Sequence, residues 1–240
     1  MFYWLMKHVF IGPLVRALYR PWIEGLENVP KDGPVILAAN HNSFLDSIFL
    51  PLVVPRNVVF LGKSDYFDKW YMKWFFKGAN VIPVRREGGE ASEAALNAGV
   101  GALRQGLAVG IYPEGTRSPD GRLYRGKTGV ARMALRVGCP IVPVAIIGSR
   151  EAQPPDRKMP KICRVGLRFG RPMDLSRYAG KDDDRFVLRS VTDELMFEIM
   201  MLSGQEYVDE YAAKYKTQKA ADEAKRPPSA GSQPPLRAVS

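Results

Sequence analysis

Apolar runs that alternate with helical patterns predict the fold of this 240-residue chain. The segment Val35–Ala39 contains no polar residue, which is typical of a buried strand. Further strands are predicted at 58–61, 81–84, 107–112, 141–147 and 163–169. Between them, apolar residues three or four apart predict helices, such as 90–104 with Leu96, Val100 and Leu103 facing the sheet. This alternation predicts an α/β single domain with a mostly parallel central sheet flanked by helices.

The C-terminal part has a different pattern. A long helix is predicted to be capped by Asp182 or a neighbour, and its apolar stripe consists of Leu188, Val191, Leu195, Ile199 and Leu202. Residues 205–224 are predicted to continue as a more polar helix. Residues 225–240 contain four prolines and several small polar residues, so we expect a disordered tail after a domain spanning 21–224. Residues 22–32 are predicted to be a connection before the first strong strand.

Residues 1–20 combine aromatic and aliphatic side chains with Lys7, Arg16 and Arg20 and contain no acid. Their longest uncharged run, Val9–Val15, is far shorter than the roughly 18 apolar residues that a spanning helix needs. No small-residue cleavage site follows a clean apolar core, which disfavours a removable signal peptide. We therefore expect an N-terminal helical segment that lies at a membrane interface. A first helix packed on the core is the alternative.

The net charge of +10 favours an acidic partner: anionic lipid, a phosphorylated substrate or nucleic acid. Basic and aromatic residues are interleaved between 56 and 86, including a predicted helix at 66–77, and this pattern suits a membrane surface or single-stranded nucleic acid. No recognisable nucleic-acid-binding motif accompanies it, so no nucleic-acid partner is expected. Two cysteines without a Cys/His cluster indicate neither a disulfide framework nor a metal site.

The first polar cluster follows the strand Val35–Ala39 and contains His41 and Asp46. In open α/β sheets, ligands bind at the carboxyl ends of the strands. Five residues along a helix turn through about 140°, so the two side chains cannot share a helical stripe, but they can meet if His41 lies in a loop and the helix starts at Ser43. The carboxylate would then hold one ring nitrogen and leave the other as a base. A simple capping box beginning at Ser43 is the alternative.

The second polar cluster, Glu114-Gly115-Thr116-Arg117, follows the predicted strand 107–112. Beyond a turn, residues 125–129 open another predicted helix and include Lys127. Small and polar residues at a helix start, beside a lysine, predict a phosphate cradle because backbone N–H groups and positive charge converge there. The spacing is not that of a P-loop.

Together these clusters resemble those of the PlsC-type glycerolipid acyltransferases, the lysophosphatidic acid acyltransferase family, over most of residues 20–175. The family's HxxxxD motif is present as HNSFLD at 41–46, and its EGTR motif stands at 114–117 after Tyr112 and Pro113. The segment NVIPVRR at 80–86 is similar to the family block ending in IPVDR, which makes Arg86 the matching arginine. Arg85 stands where the family usually has Asp.

The resemblance implies acyl transfer from acyl-CoA or acyl carrier protein to the free hydroxyl of a lysophospholipid, converting lysophosphatidic acid to phosphatidic acid. It implies His41 as the base, with Asp46 orienting it. The implied substrate-binding residues are Arg86, Glu114, Gly115, Thr116, Arg117 and Lys127. Of these, Arg86, Arg117 and Lys127 would neutralise the acceptor phosphate, and Glu114 would orient Arg117 or bind a glycerol hydroxyl. No metal or cofactor beyond the acyl donor is implied.

The residues agree with this chemistry, because a lipid hydroxyl needs a base to attack a thioester. No GxSxG motif is present, and neither cysteine has a histidine nearby in sequence, which disfavours an acylated-enzyme route. We expect the protein on the cytoplasmic face of the cell membrane, bound to anionic lipid. The alternatives are a sibling acyltransferase that acts on glycerol 3-phosphate, a lyso-ornithine lipid or a neutral lysophospholipid, and a non-catalytic anionic-lipid-binding module.

Overall fold

A seven-stranded sheet forms the centre of the computed structural model, which describes residues 2–63, 81–84, 89–155, 157 and 159–225. In chain order the strands are β1 (Trp22–Glu24), β2 (Val35–Ala39), β3 (Val58–Lys63), β4 (Val81–Val84), β5 (Ala108–Ile111), β6 (Leu123–Tyr124), β7 (Ile141–Ile147), β8 (Gly166–Phe169) and β9 (Tyr207–Val208). The main sheet has the order β1-β8-β7-β2-β5-β3-β4, and β6 pairs separately with β9. The predicted helix 66–77 and Arg86 lie outside the described residues.

Every neighbouring pair in the main sheet is parallel except β7 and β8, which are antiparallel. The predicted α/β architecture with a mostly parallel sheet is therefore confirmed. One element of the prediction was wrong, because the connection predicted at 22–32 contains β1. This strand forms the edge of the sheet by pairing with β8, and its three residues are too few to show a periodic pattern.

The helices in chain order are α1 (Phe2–Leu5), α2 (Ile11–Tyr19), α3 (Asp46–Val53), α4 (Gly89–Arg104), α5 (Gly129–Val137), α6 (Ser149–Ala152), α7 (Arg185–Ser203) and α8 (Ala212–Lys225). A π-helical turn at Met6–Phe10 joins α1 to α2, and 3₁₀ turns occupy Leu26–Asn28 and Ser176–Tyr178. The cap of the long helix is a neighbour of Asp182, Asp184, whose side chain accepts the N–H groups of Phe186 and Val187.

The prediction of one continuous helix over 205–224 was wrong. Gly204 ends α7 with a φ of +70°, a left-handed conformation that glycine adopts readily. The chain then forms β9, which pairs in parallel with β6. Only after this pairing does α8 begin, at Ala212. The interruption places α8 beside the polar clusters.

Strand β2 is buried on both faces, which explains its continuous apolar run. Ile36 and Ala38 belong to the core that packs against α4, α5 and α7. The alternate residues Val35, Leu37 and Ala39 belong to the core on the other face, which includes residues of α2 and α3. Successive side chains of a strand point to opposite faces, so β2 contributes to both cores.

The N-terminal segment both packs on the core and exposes apolar residues. Tyr19 meets Phe49 edge to face at 5.2 Å, and Lys7 Nζ donates to the carbonyl of Val54, the residue that follows α3. The side chains of Trp4, Val9, Phe10, Leu14 and Leu18 remain 40–59% exposed. Within the described part of the chain, no helix combines the length and the hydrophobicity needed to cross a membrane.

Candidate active site

The loop after β2 wraps around the carboxylate of Asp46. Oδ2 of Asp46 accepts the backbone N–H groups of Asn42 and Ser43, each at 2.7 Å, and lies 2.9 Å from Nδ1 of His41. The predicted contact between His41 and Asp46 is present, although α3 begins at Asp46 and not at Ser43. Half of the capping box forms, since the Asp46 side chain accepts the backbone N–H of Ser43. The other half does not form, because the Ser43 hydroxyl accepts from Leu45 N instead of Asp46 N. The wrapped loop removes the angular conflict that a continuous helix would impose.

This geometry leaves one imidazole nitrogen available. The Asp46 side chain is fully buried, whereas 16% of the His41 side chain is exposed. A carboxylate acts as the acceptor, so the proton of a neutral His41 ring resides on Nδ1 and Nε2 carries the lone pair. Nε2 has no hydrogen-bond partner among the residues that the structure describes. The pair can therefore take up a proton from a bound hydroxyl.

Tyr112 completes the surroundings of the imidazole, and the sequence had assigned it no role. Its ring stacks on His41, its hydroxyl lies 3.1 Å from Ser47 Oγ in α3, and the ring of Phe60 also stacks on it, with centroids 5.9 Å apart. Burial, followed by the negative charge of Asp46, holds the pKa of Tyr112 well above its usual value. The phenol therefore stays neutral. Because β2 and β5 are parallel neighbours, residues that follow both strands meet at one edge of the sheet.

Glu114 connects the loop of His41 to β6. Only 1% of this residue is exposed, and its two carboxylate oxygens accept the N–H groups of His41 at 3.3 Å and of Tyr124 at 2.9 Å. Burial raises the pKa of Glu114 to about 8, with a smaller contribution from Asp46, and the two backbone hydrogen bonds oppose the rise. These contacts are with the protein's own backbone. That Glu114 orients Arg117 or binds a substrate hydroxyl stays a prediction.

The loop 114–117 carries Arg117, contacts Lys127 and is followed by Ser118, which binds the backbone of His41. Gly115 has a φ of +73°, and the Lys127 side chain lies against it: a Cβ at Gly115 would be 3.1 Å from Lys127 Cε. Lys127 N also donates to Pro113 O at 2.8 Å, and Ser118 N donates to His41 O at 2.7 Å. Neither Arg117 nor Lys127 forms an ion pair with any acid in the described ranges. Positive charge without a paired carboxylate suits an anionic ligand.

Two residues of the C-terminal part also reach this site, and no motif indicated them. Gln205 donates to Asn42 Oδ1 and to the carbonyl of Gly121, and its own side-chain oxygen accepts from Asn40. Lys216 of α8 donates to the hydroxyl of Thr116 at 2.9 Å and to the carbonyl of Arg117 at 2.5 Å. Both residues are distant in sequence from the two clusters, so these contacts could not be predicted from the sequence.

The described residues contain no group of His, Cys, Asp and Glu side chains that could hold a metal ion. That the reaction needs no metal or cofactor stays a prediction.

The chain is similar to known acyltransferases. The family model described as Acyltransferase matches residues 20–147, which include both polar clusters and Lys127. A chloroplastic 1-acyl-sn-glycerol-3-phosphate acyltransferase of Brassica napus is 33% identical over 153 residues, covering 61% of this chain. The 1-acyl-sn-glycerol-3-phosphate acyltransferase of Bacillus subtilis is 29% identical, covering 64% of this chain and 73% of that protein. This chain spans 44% of the length of the Brassica napus relative.

A solved structure is similar in fold as well. The crystal structure of the 1-acyl-sn-glycerophosphate acyltransferase PlsC from Thermotoga maritima superposes with a TM-score of 0.61 at 26% sequence identity. The match covers 79% of this chain and 80% of that one.

Proposed function

This chain belongs to the acyltransferase family, and on that premise we propose that it transfers a fatty acyl group from a thioester donor to lysophosphatidic acid. The product would be phosphatidic acid. The relatives named above are 1-acyl-sn-glycerol-3-phosphate acyltransferases, which supports this acceptor. Acyl-CoA or acyl carrier protein would supply the acyl group.

The observation that carries the proposal is the contact between His41 and Asp46. The 2.9 Å distance between Nδ1 and Oδ2 orients the ring, and two backbone N–H groups hold the carboxylate in place. A fixed carboxylate also stabilises the imidazolium that forms when Nε2 accepts a proton. His41 thus has the geometry of a general base whose orientation is set before the substrate binds.

The reaction then follows from the position of the base. Nε2 of His41 takes the proton of the acceptor hydroxyl as its oxygen attacks the thioester carbonyl carbon. The tetrahedral intermediate collapses with cleavage of the C–S bond, and the ester product forms. The departing thiolate receives the proton from the His41 imidazolium, which restores the neutral ring and releases a free thiol. No covalent enzyme intermediate is required.

The acceptor phosphate would bind at the loop 114–117. Arg117 and Lys127 bring positive charge to this loop without a carboxylate partner among the described residues, as a phosphate site requires. We assign Arg86 to the same site from its motif. Gly115 and Thr116 would present backbone and hydroxyl groups to the headgroup.

The N-terminal segment would bring the site to the membrane that holds the acceptor. Phe10, Leu14 and Leu18 are spaced four residues apart, so they share one exposed helix face. Phe44, within the loop between His41 and Asp46, is 44% exposed. Exposed aromatic and aliphatic residues on a protein with a net charge of +10 suit the interface of an anionic bilayer. We propose peripheral attachment at the cytoplasmic face.

The test is the release of free thiol from acyl-CoA in the presence of lysophosphatidic acid, together with chromatographic detection of phosphatidic acid. The wild-type protein is compared with His41→Ala, whose folding is checked by circular dichroism and thermal melting. Thiol release and product formation by the wild type that disappear in the variant would support both the reaction and the base.

Other outcomes point elsewhere. Equal turnover by both proteins would reject His41 as the base. If neither protein releases thiol, acyl carrier protein and other lysolipids are tried next. Failure with all of them would reject acyl transfer in favour of a lipid-binding module.

A further inference from the structure

Lys216 belongs to the C-terminal helix α8, but its side chain contacts the loop 114–117 that would bind the acceptor phosphate. Its ammonium group donates to Thr116 Oγ1 at 2.9 Å and to the carbonyl of Arg117 at 2.5 Å. An ammonium group has three N–H donors, so these two hydrogen bonds leave one for a ligand. Lys127 lies against Gly115 in the same loop. Two lysines thus approach adjacent residues of the loop 114–117.

The position of Lys216 is set by tertiary contacts. Strand β9 pairs with β6, and Arg125 N donates to the carbonyls of both Val208 and Glu210. At the start of α8, the ring of Tyr215 packs against Tyr124, with centroids 5.4 Å apart. Tyr124 is itself tied to Glu114 through its backbone N–H. The helix is therefore anchored to the same framework that holds the loop of His41.

Lys216 carries a charge that no ion pair neutralises within the described ranges. Over the described ranges, neither Lys216 nor Arg117 forms an ion pair, whereas Lys214 pairs with Glu210 at 3.1 Å. Burial, and then the charge of Arg117, lower the pKa of Lys216, and Glu114 opposes this effect weakly. Holding two cations close together in a half-buried place is unfavourable unless an anion binds between them.

We propose that Lys216 is a further cation of the acceptor phosphate subsite, acting with Arg117 and Lys127. The ligand chemistry is a phosphate monoester, which the third N–H of the ammonium group would contact. The inference rests on the proposed function and extends it, because residue 216 lies outside the range 20–147 matched by the family model. The C-terminal helix would then take part in selecting a phosphorylated acceptor over a neutral one.

The test compares Lys216→Met, which keeps the length of the side chain and removes its charge, with Lys214→Met. Lys214 is a matched control because it lies on the same helix, is 67% exposed and faces Glu210. Initial rates are measured with lysophosphatidic acid, with monoacylglycerol as the acceptor that lacks phosphate, and with varied acyl donor. Lys216→Arg serves as the variant that retains the charge.

Loss of one charge-assisted hydrogen bond should raise the KM for lysophosphatidic acid about tenfold or more in Lys216→Met. We expect kcat, the KM for the acyl donor and the rate with monoacylglycerol to change less than about twofold, because none of them depends on this contact. Lys214→Met should match the wild type, and Lys216→Arg should restore most of the acceptor affinity. A folding defect would instead lower the rates with both acceptors.

Several results would overturn the inference. These are an unchanged KM for lysophosphatidic acid, an equal rise in Lys214→Met, or a rise confined to the acyl donor, which would assign the cation to the donor's phosphates. If the wild type transfers no acyl group, the proposed function fails, but equilibrium titration with both lipids in detergent micelles still tests Lys216. A preference for lysophosphatidic acid that Lys216→Met loses would support the subsite, and equal preference in both proteins would reject it.

Discussion

The ring of Tyr112 lies nearly parallel to the imidazole of His41, with the two centroids 3.9 Å apart and the planes tilted by 10°. The hydrogen bond to Asp46 fixes Nδ1 of His41, and the stacking on Tyr112 restricts the remaining rotation of the imidazole plane. The Tyr112 hydroxyl meets Ser47, in the first turn of the helix that begins with Asp46. Tyr112 therefore contacts both the proposed base, His41, and the helix that begins with Asp46.

Replacing Tyr112 should separate the effect of the ring from that of the hydroxyl. Tyr112→Phe keeps the stacking and loses one hydrogen bond, so we expect about 1 kcal/mol less stability and a rate within about threefold of wild type. Tyr112→Ala removes the ring, which should cost about 3–5 kcal/mol and lower kcat at least about tenfold. Urea unfolding and initial rates measure the two effects. Equal kcat in the two variants would show that stacking does not contribute to catalysis.

Substitution of Asp46 by asparagine should disable the base while the fold persists. The amide oxygen can still accept backbone N–H groups, but the amide favours the wrong imidazole tautomer and no longer stabilises the imidazolium. We expect kcat to fall on the order of 10³-fold, measured as thiol release. Asp32→Asn, an exposed substitution in the turn before β2, is the control and should retain activity. Activity of Asp46→Asn within a few-fold of wild type would contradict the proposed pair.

The buried carboxyl of Glu114 should make stability depend on pH. Its pKa is about 8 in the folded state against an ordinary value of 4.5, so between these values the folded protein binds more protons than the unfolded chain. The free energy of unfolding therefore falls as the pH rises. The contribution is fully present below about pH 4.5 and is lost as the pH passes about 8.

Glu114→Gln removes this titration. Between about pH 5 and about pH 9, the stability of the wild type relative to Glu114→Gln should decrease by a few kcal/mol, measured by urea unfolding at each pH. Glu206→Gln changes an exposed glutamate and should leave the pH dependence as in the wild type. Parallel pH profiles for wild type and Glu114→Gln would show that the burial of Glu114 does not shift its titration.

Membrane attachment should depend on the apolar face formed by Phe10, at the end of the π-helical turn, and by Leu14 and Leu18 of α2. A variant with Phe10→Ser, Leu14→Ser and Leu18→Ser removes apolar side chains that are 40–59% exposed, so binding to anionic vesicles should weaken at least about tenfold in sedimentation assays. Activity on acceptor dissolved in detergent micelles should be retained. Phe186→Ser is the control, since Phe186 is 89% exposed on a different helix. Unchanged vesicle binding by the triple variant would place the membrane-binding surface elsewhere.

The sequence alone determined those parts of the protein whose causes are local. A continuous apolar run identified Val35–Ala39 and Ile141–Ile147 with the boundaries that the structure has, because a strand buried on both faces needs apolar side chains at every position. The contact of His41 with Asp46 could also be predicted from the sequence, since a separation of five residues limits where the two side chains can lie. The two polar motifs indicated where the candidate site lies, because each directly follows a buried strand.

Only the tertiary structure decided which distant residues join that site. Hydrogen bonding between strands is non-local, so the apolar pattern could not show that β2 and β5 are neighbours, or that Tyr112 therefore stacks on His41. The break at Gly204 and the pairing of β9 with β6 redirect the chain where periodicity favoured a continuous helix. That redirection brings Lys216 to Thr116, 100 residues away along the chain. Contacts of this kind depend on how helices and strands that are distant in sequence pack together, and no local pattern of residues encodes that packing.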